Sequence, residues 1–118
     1  MIRVGDFAET TRTLTAADIA ALAMFGGAPG AAPLIGAMFS ALLGTRLPGP
    51  GTNYLKQEMR FHAGAPRDTL LTARVEVTRL RPQTRLIDLA TTCHLPDGTL
   101  LCEGRALVLA RDVAGAWD

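Results

Sequence analysis

The sequence predicts an α+β fold, an antiparallel sheet wrapped around one central apolar helix, and three observations carry that prediction. The stretch "LIGAMFSALL" (34–43) is apolar on every side except at Ser40, the mark of a helix surrounded by protein. After Gly51 the apolar period changes from helical to alternating, and it stays alternating through four successive segments. An antiparallel sheet with one dry face is the natural cover for such a helix. At 118 residues the chain has room for one core and is read as a single domain over 1–118. Hydrophobic residues at 48% and charged residues at 19% form a globular composition, and only 5% are aromatic, so Leu, Val, Ala and Met must build the core.

Each element has its own local reason. "GDFAETTRTL" (5–14) is Thr-rich and predicts a first strand. Thr15 is placed as a helix N-cap with Asp18 three residues on, a capping-box spacing. Ile19, Leu22 and Ala23 supply the apolar face of a short helix ending near Met24. A Gly/Pro/Ala segment follows. Pro33 suits the first position of the central helix, where its missing N–H costs nothing. Gly44 is expected to cap that helix, and "LPGPG" (47–51) cannot continue it. In "TNYLKQEMRF" (52–61), Leu55, Gln57, Met59 and Phe61 share one face, and Tyr54, Lys56, Glu58 and Arg60 share the face toward solvent or a partner subunit. "TLLTARVEVTRL" (69–80) sets Leu71, Ala73, Val75 and Val77 opposite Leu70, Thr72, Arg74 and Glu76. "TRLIDLATTCHL" (84–95) and "TLLCEGRALVLA" (99–110) are joined by "PDG" (96–98), a hairpin signal. The order is β-α-α-β-β-β-β. Residues 112–118 are expected to fray, with Trp117 as a side chain that can pack back.

Charge and cysteine content exclude several classes. Lys+Arg 12 against Asp+Glu 11 are interleaved, which is a solvated surface and not a basic stripe for nucleic acid. Cys93 and Cys102 lie nine apart across the hairpin; as strand neighbours they can be bridged, while two reduced thiols of a cytosolic protein is the simpler reading. "MIRVGDFAET" lacks a basic segment followed by an apolar run, so no signal peptide and a cytoplasmic location are expected. The apolar run from Leu34 to Leu43 is too short to span a bilayer, so no membrane partner is expected.

The element order is that of the hot-dog fold, and the local sequence resembles the MaoC-like hydratase/dehydratase family, within it the short (R)-specific enoyl-CoA hydratases. Four stretches carry the resemblance: "VGDFAETTRTLTAADIAALA", "MFSALLGTRLPGPGTNYLKQEMRF", "DTLLTARVEV" and "GTLLCEGRALVLA". The helix followed by "LPGPGT" is the most specific of them. The resemblance implies an acyl thioester ligand, on coenzyme A or an acyl carrier protein, and no cofactor or metal. It also implies pairing with a second hot-dog chain, identical or different, with central helices side by side.

The resemblance also shows what is missing. The family motif G-D-x-N-P-x-H-x-D supplies an Asp and a His that move protons during hydration of a 2,3 double bond. Here "ADIAALA" (17–23) matches up to the start of the motif and "FGG" (25–27) already matches the loop after it, with only Met24 between. A loop of roughly fifteen to twenty residues is absent, long enough to be a functional element. Where the family has His-Gly-Met at the start of the central helix, this chain has Ala31, Ala32 and Pro33.

No catalytic residue is therefore assigned. The uncapped helix start at Gly30, Ala31 and Ala32 offers backbone N–H groups that water, a neighbouring carbonyl or a thioester carbonyl would satisfy. Ser40 matches a recurrent serine of the family's central helix, and either back-bonds to a carbonyl one turn earlier or touches ligand. Thr52 and Asn53 match positions lining the family's acyl tunnel. His62 and His94 have no neighbours at metal-ligand spacing and read as surface histidines. Asp6 and Asp68 read as turn-shaping residues. These residues imply a protein that binds an acyl thioester as a non-catalytic or partner subunit. The alternative is a diverged dehydratase, isomerase or cyclase acting on an acyl or polyketide-type intermediate.

Overall fold

A computed structural model describes residues 1–18, 32–64 and 68–117. Among them are β1 (Phe7–Thr13), α1 (Ala32–Thr45), β2 (Asn53–Phe61), β3 (Leu70–Arg81), β4 (Leu86–His94) and β5 (Leu100–Leu109). The strands form one sheet in the order β1-β3-β4-β5-β2, antiparallel throughout, so β1 and β2 are its edges. The α+β assignment and the central-helix architecture hold.

The predicted capping box at the first helix is present. The Asp18 amide donates to Thr15 Oγ1 at 3.1 Å and the Thr15 amide donates to Asp18 Oδ2 at 3.0 Å. These bonds hold the Asp18 carboxyl below the usual carboxylate range. Residues 16–18 are helical; Ile19, Leu22, Ala23 and Met24 lie outside the described residues.

Alternation along the strands sets the core. Leu71, Ala73, Val75 and Val77 of β3 and Ile87, Leu89, Thr91 and Cys93 of β4 are all completely buried. The helix lays Ile35, Met38, Phe39, Leu42 and Leu43 on this floor. The outer face is charged: Arg74 donates to Glu9 at 2.8 Å and to Glu76 at 2.7 Å, and stacks 3.7 Å above the Phe7 ring.

Four expectations change. The helix is not wrapped all round: Pro33, Ala37, Ser40, Ala41 and Gly44 form an exposed stripe of small residues along one side. Helical periodicity cannot show this, because every face of α1 is apolar. Gly44 lies inside the helix and is not its cap. The end is closed instead by the Leu47 amide on the Leu42 carbonyl (2.9 Å) and the Gly49 amide on the Leu43 carbonyl (3.0 Å), with Gly49 at φ 102°. In β2 a bulge between Tyr54 and Lys56 reverses the alternation, turning Tyr54 inward and leaving Leu55 54% exposed. The C-terminal segment does not fray: Val113 and Ala116 are buried, and Trp117 Nε1 donates to the Ala110 carbonyl at 2.9 Å.

Candidate functional site

The site implied by the sequence lies along α1. Ala32 opens the helix, and its first turn contains no acidic residue. Pro33 has no N–H to offer. Gly30 and Ala31 lie outside the described residues. Ser40 sits mid-helix with its residue exposed, and its hydroxyl makes no back-bond to a carbonyl one turn earlier. That bond is made by Thr45, whose Oγ1 donates to the Ala41 carbonyl at 2.5 Å.

Thr52 and Asn53 stand beyond the other end of the helix. The Thr52 hydroxyl and amide both donate to the Gly49 carbonyl, at 2.7 and 3.2 Å, so Thr52 closes the turn that leads out of α1. Asn53 begins β2 opposite Leu109 and is exposed. A helix of 14 residues is roughly 20 Å long at about 1.5 Å per residue. Ala32 and Asn53 therefore cannot serve one reacting atom.

Asp68 adopts φ 58° and its amide donates to the Leu14 carbonyl at 2.8 Å. Asp6 accepts the Arg3 amide at 2.9 Å. His62 faces Glu103 at 3.4 Å with both side chains exposed, and His94 lies opposite Leu100 in β4. Among the described residues no cluster of three His, Cys, Asp or Glu side chains is arranged to hold a metal ion. A depression of about 400 Å³ lies on the charged outer face between Glu58, Arg60, Ala90, Thr92 and Arg105.

Three features were not apparent from the sequence. On the inner face of β2, Met59 and Gln57 lie over Gly36 of the helix, with Met59 Cε 3.5 Å from the place a Cβ would occupy. The Tyr54 hydroxyl is buried without a hydrogen-bond partner, and burial pushes its pKa to about 12. The Thr91 hydroxyl is also buried and unpartnered on the core face of β4. Alternation with Ile87, Leu89 and Cys93 places Thr91 inward and half-buried Thr92 outward, but no sequence signal shows that the Thr91 hydroxyl lacks a partner.

From residue 19 to residue 45 there is no Asp, Glu, His, Lys, Arg, Cys or Tyr, and the only hydroxyls are those of Ser40 and Thr45. The approach to the helix and the helix itself hold backbone dipoles and apolar surface, but no side chain that changes protonation near neutral pH.

A five-stranded antiparallel sheet folded about one central helix defines a hot-dog domain. No protein-family model matches the chain. A 3-hydroxybutyryl-CoA dehydratase of Methylorubrum extorquens is 44% identical over 71 residues, 60% of this chain and 45% of the relative. An (R)-specific enoyl-CoA hydratase of Rhodospirillum rubrum is 43% identical over 70 residues, 59% and 48% respectively. The chain thus spans about half the length of the curated relatives it matches. The solved (R)-hydratase of A. caviae involved in PHA biosynthesis superposes with a TM-score of 0.81 at 31% identity, covering 91% of this chain and 96% of that one. The chain belongs to the (R)-specific enoyl-CoA hydratase family.

Proposed function

We propose that this protein binds acyl thioesters, of coenzyme A or of an acyl carrier protein, without hydrating them, as the non-catalytic subunit of a hot-dog pair in the cytoplasm. One observation carries the reading: in a family whose named members act on enoyl- and hydroxyacyl-CoA, residues 19–45 contain no side chain that titrates near neutral pH. The described residues supply an apolar helix, a dry sheet floor, half-covered Met59 and exposed Gln57 and Phe61 at its edge for the acyl chain. Gly30, Ala31 and Ala32 would present the helix start to the thioester carbonyl, Ser40 would lie along the chain, and Thr52 and Asn53 would mark the far end.

A partner chain is supported by the same surfaces. The stripe Pro33, Ala37, Ser40, Ala41 and Gly44 leaves one side of an otherwise apolar helix bare, and small residues there allow a second helix to approach closely. Strand β2 is an edge nine residues long, with Leu55 54% and Phe61 40% exposed. Titration calorimetry with butyryl-CoA, which has no double bond to hydrate, tests the binding half of the reading. Saturable heat, weakened by Ser40→Leu, is the expected result; no heat with butyryl-CoA or with a butyryl carrier protein overturns it.

The second reading is a diverged dehydratase, isomerase or cyclase. It is favoured only by the helix start, whose backbone amides could polarise a carbonyl by position alone. Its sign would be turnover of an acyl or polyketide-type thioester that survives replacement of both His62 and Asp68.

A further inference from the structure

Cys93 and Cys102 have no part in the function proposed above, yet the fold places them directly opposite each other. They are register partners on β4 and β5, both completely buried on the inner face and both free. The Ala110 amide donates to the Arg85 carbonyl at 2.8 Å, and the β4–β5 register runs unbroken from there to Cys93–Cys102. Hydrogen-bonded and non-hydrogen-bonded pairs alternate along an antiparallel ladder, so the cysteines occupy a hydrogen-bonded pair, with Cα atoms about 5.5 Å apart. That separation lies in the range that disulfides span. Cβ atoms of such a pair lie at up to about 5.5 Å and must draw together by about 1 Å to reach bonding range. A bond closed with that strain is reduced more readily than a relaxed structural disulfide.

We propose that Cys93 and Cys102 are a redox-responsive cross-strand staple, open as two thiols in a reducing compartment and closed as a β4–β5 disulfide when a small-molecule disulfide is in excess. One thiolate attacks a sulfur of the oxidant, releases the first small thiol and leaves a mixed disulfide. The second cysteine, deprotonated in turn, displaces the other small thiol. Two S–H groups are lost, one S–S bond forms, and the oxidant is reduced to two thiols. Burial pushes both protein thiols up, Cys93 to about 11, so closure is slow and follows transient opening of the hairpin. The staple rests on strand register and is independent of any acyl ligand.

The test is incubation of the native protein with oxidised glutathione, followed by intact-mass measurement and a thiol count after unfolding. The chain has only two cysteines, so the wild-type result decides without any variant. The expected outcome is loss of two hydrogens, no attached glutathione, no titratable thiol, and recovery of both thiols with excess reduced glutathione. Cys93→Ala and Cys102→Ala should each instead keep one thiol or carry one glutathione. A wild-type protein that retains both thiols, accumulates glutathione adducts or forms chain-to-chain dimers, while its denatured form is oxidised under the same treatment, overturns the proposal.

Discussion

The inner face of the sheet has two halves that obey the same alternation and end in different states. On β3 and β4 every inward residue from Leu71 to Val77 and from Ile87 to Cys93 is completely buried. On β2 the inward residues are half-covered Tyr54 and Met59, exposed Gln57, and Phe61 at 40% exposure. The helix covers the first half and leaves the second partly open, just as it leaves its own Pro33–Gly44 stripe open. The closed half is what lets the chain fold. The open half is the surface that the proposed ligand or second chain would bury.

Substitutions that treat the two halves alike should therefore behave differently. The largest effect is expected from Phe39→Ala, which empties the centre of the closed half and should cost about 3–5 kcal/mol in denaturant unfolding. Next comes Gly104→Ala, at the seam between the halves. A Cβ there would lie 1.8 Å from the Glu58 carbonyl oxygen, so β2 must shift, at a cost of about 1–3 kcal/mol or more. Thr91→Val should go the other way, because it removes an unpartnered buried hydroxyl within the same volume; a gain of about 1 kcal/mol is expected by thermal unfolding. The pair Leu55→Ser and Phe61→Ser should change unfolding of the single chain by less than about 0.5 kcal/mol each, as exposed sites do. Sedimentation analysis should nonetheless show loss of assembly in these variants. If they weaken folding as much as Phe39→Ala, the open half is core and the contrast fails.

The smallest effect concerns the first helix. Asp18 is held below the usual carboxylate range by Thr15, so its stabilising contribution is fully present above the ordinary carboxylate pKa and is lost as pH falls through the depressed one. Thr15→Ala should flatten the acid limb of the stability–pH curve: its small loss of stability is present at neutral pH and disappears once Asp18 is protonated.

Much of the closed half is legible in the sequence, because period two with one dry face has a single solution for β3, β4 and β5. The open half is not. Leu55 belongs to the apolar set by pattern, yet a bulge that no residue type announces turns it out and brings Tyr54 in. The apolar α1 has no polar face to mark which side meets the sheet, so full enclosure by one chain and enclosure by two chains look the same in sequence. Trp117 docks through a bond to the Ala110 carbonyl, seven residues back, with the Arg85 guanidinium over its ring; the sequence offers it as a side chain that can pack back, but no period gives its partners. For the site, the absence of titratable groups over residues 19–45 is written in the sequence itself. The exposure of Ser40 and the lack of a partner for the Thr91 hydroxyl are products of packing and become visible only in the structure.

The central claim is that a family scaffold without a proton-moving pair holds a thioester and leaves it unchanged. Its most direct test is hydration of crotonyl-CoA by the purified protein alone, followed by loss of absorbance of the conjugated thioester. The account predicts no turnover above the uncatalysed rate. Clear turnover would contradict it and would send the search for the missing acid and base to His62 first.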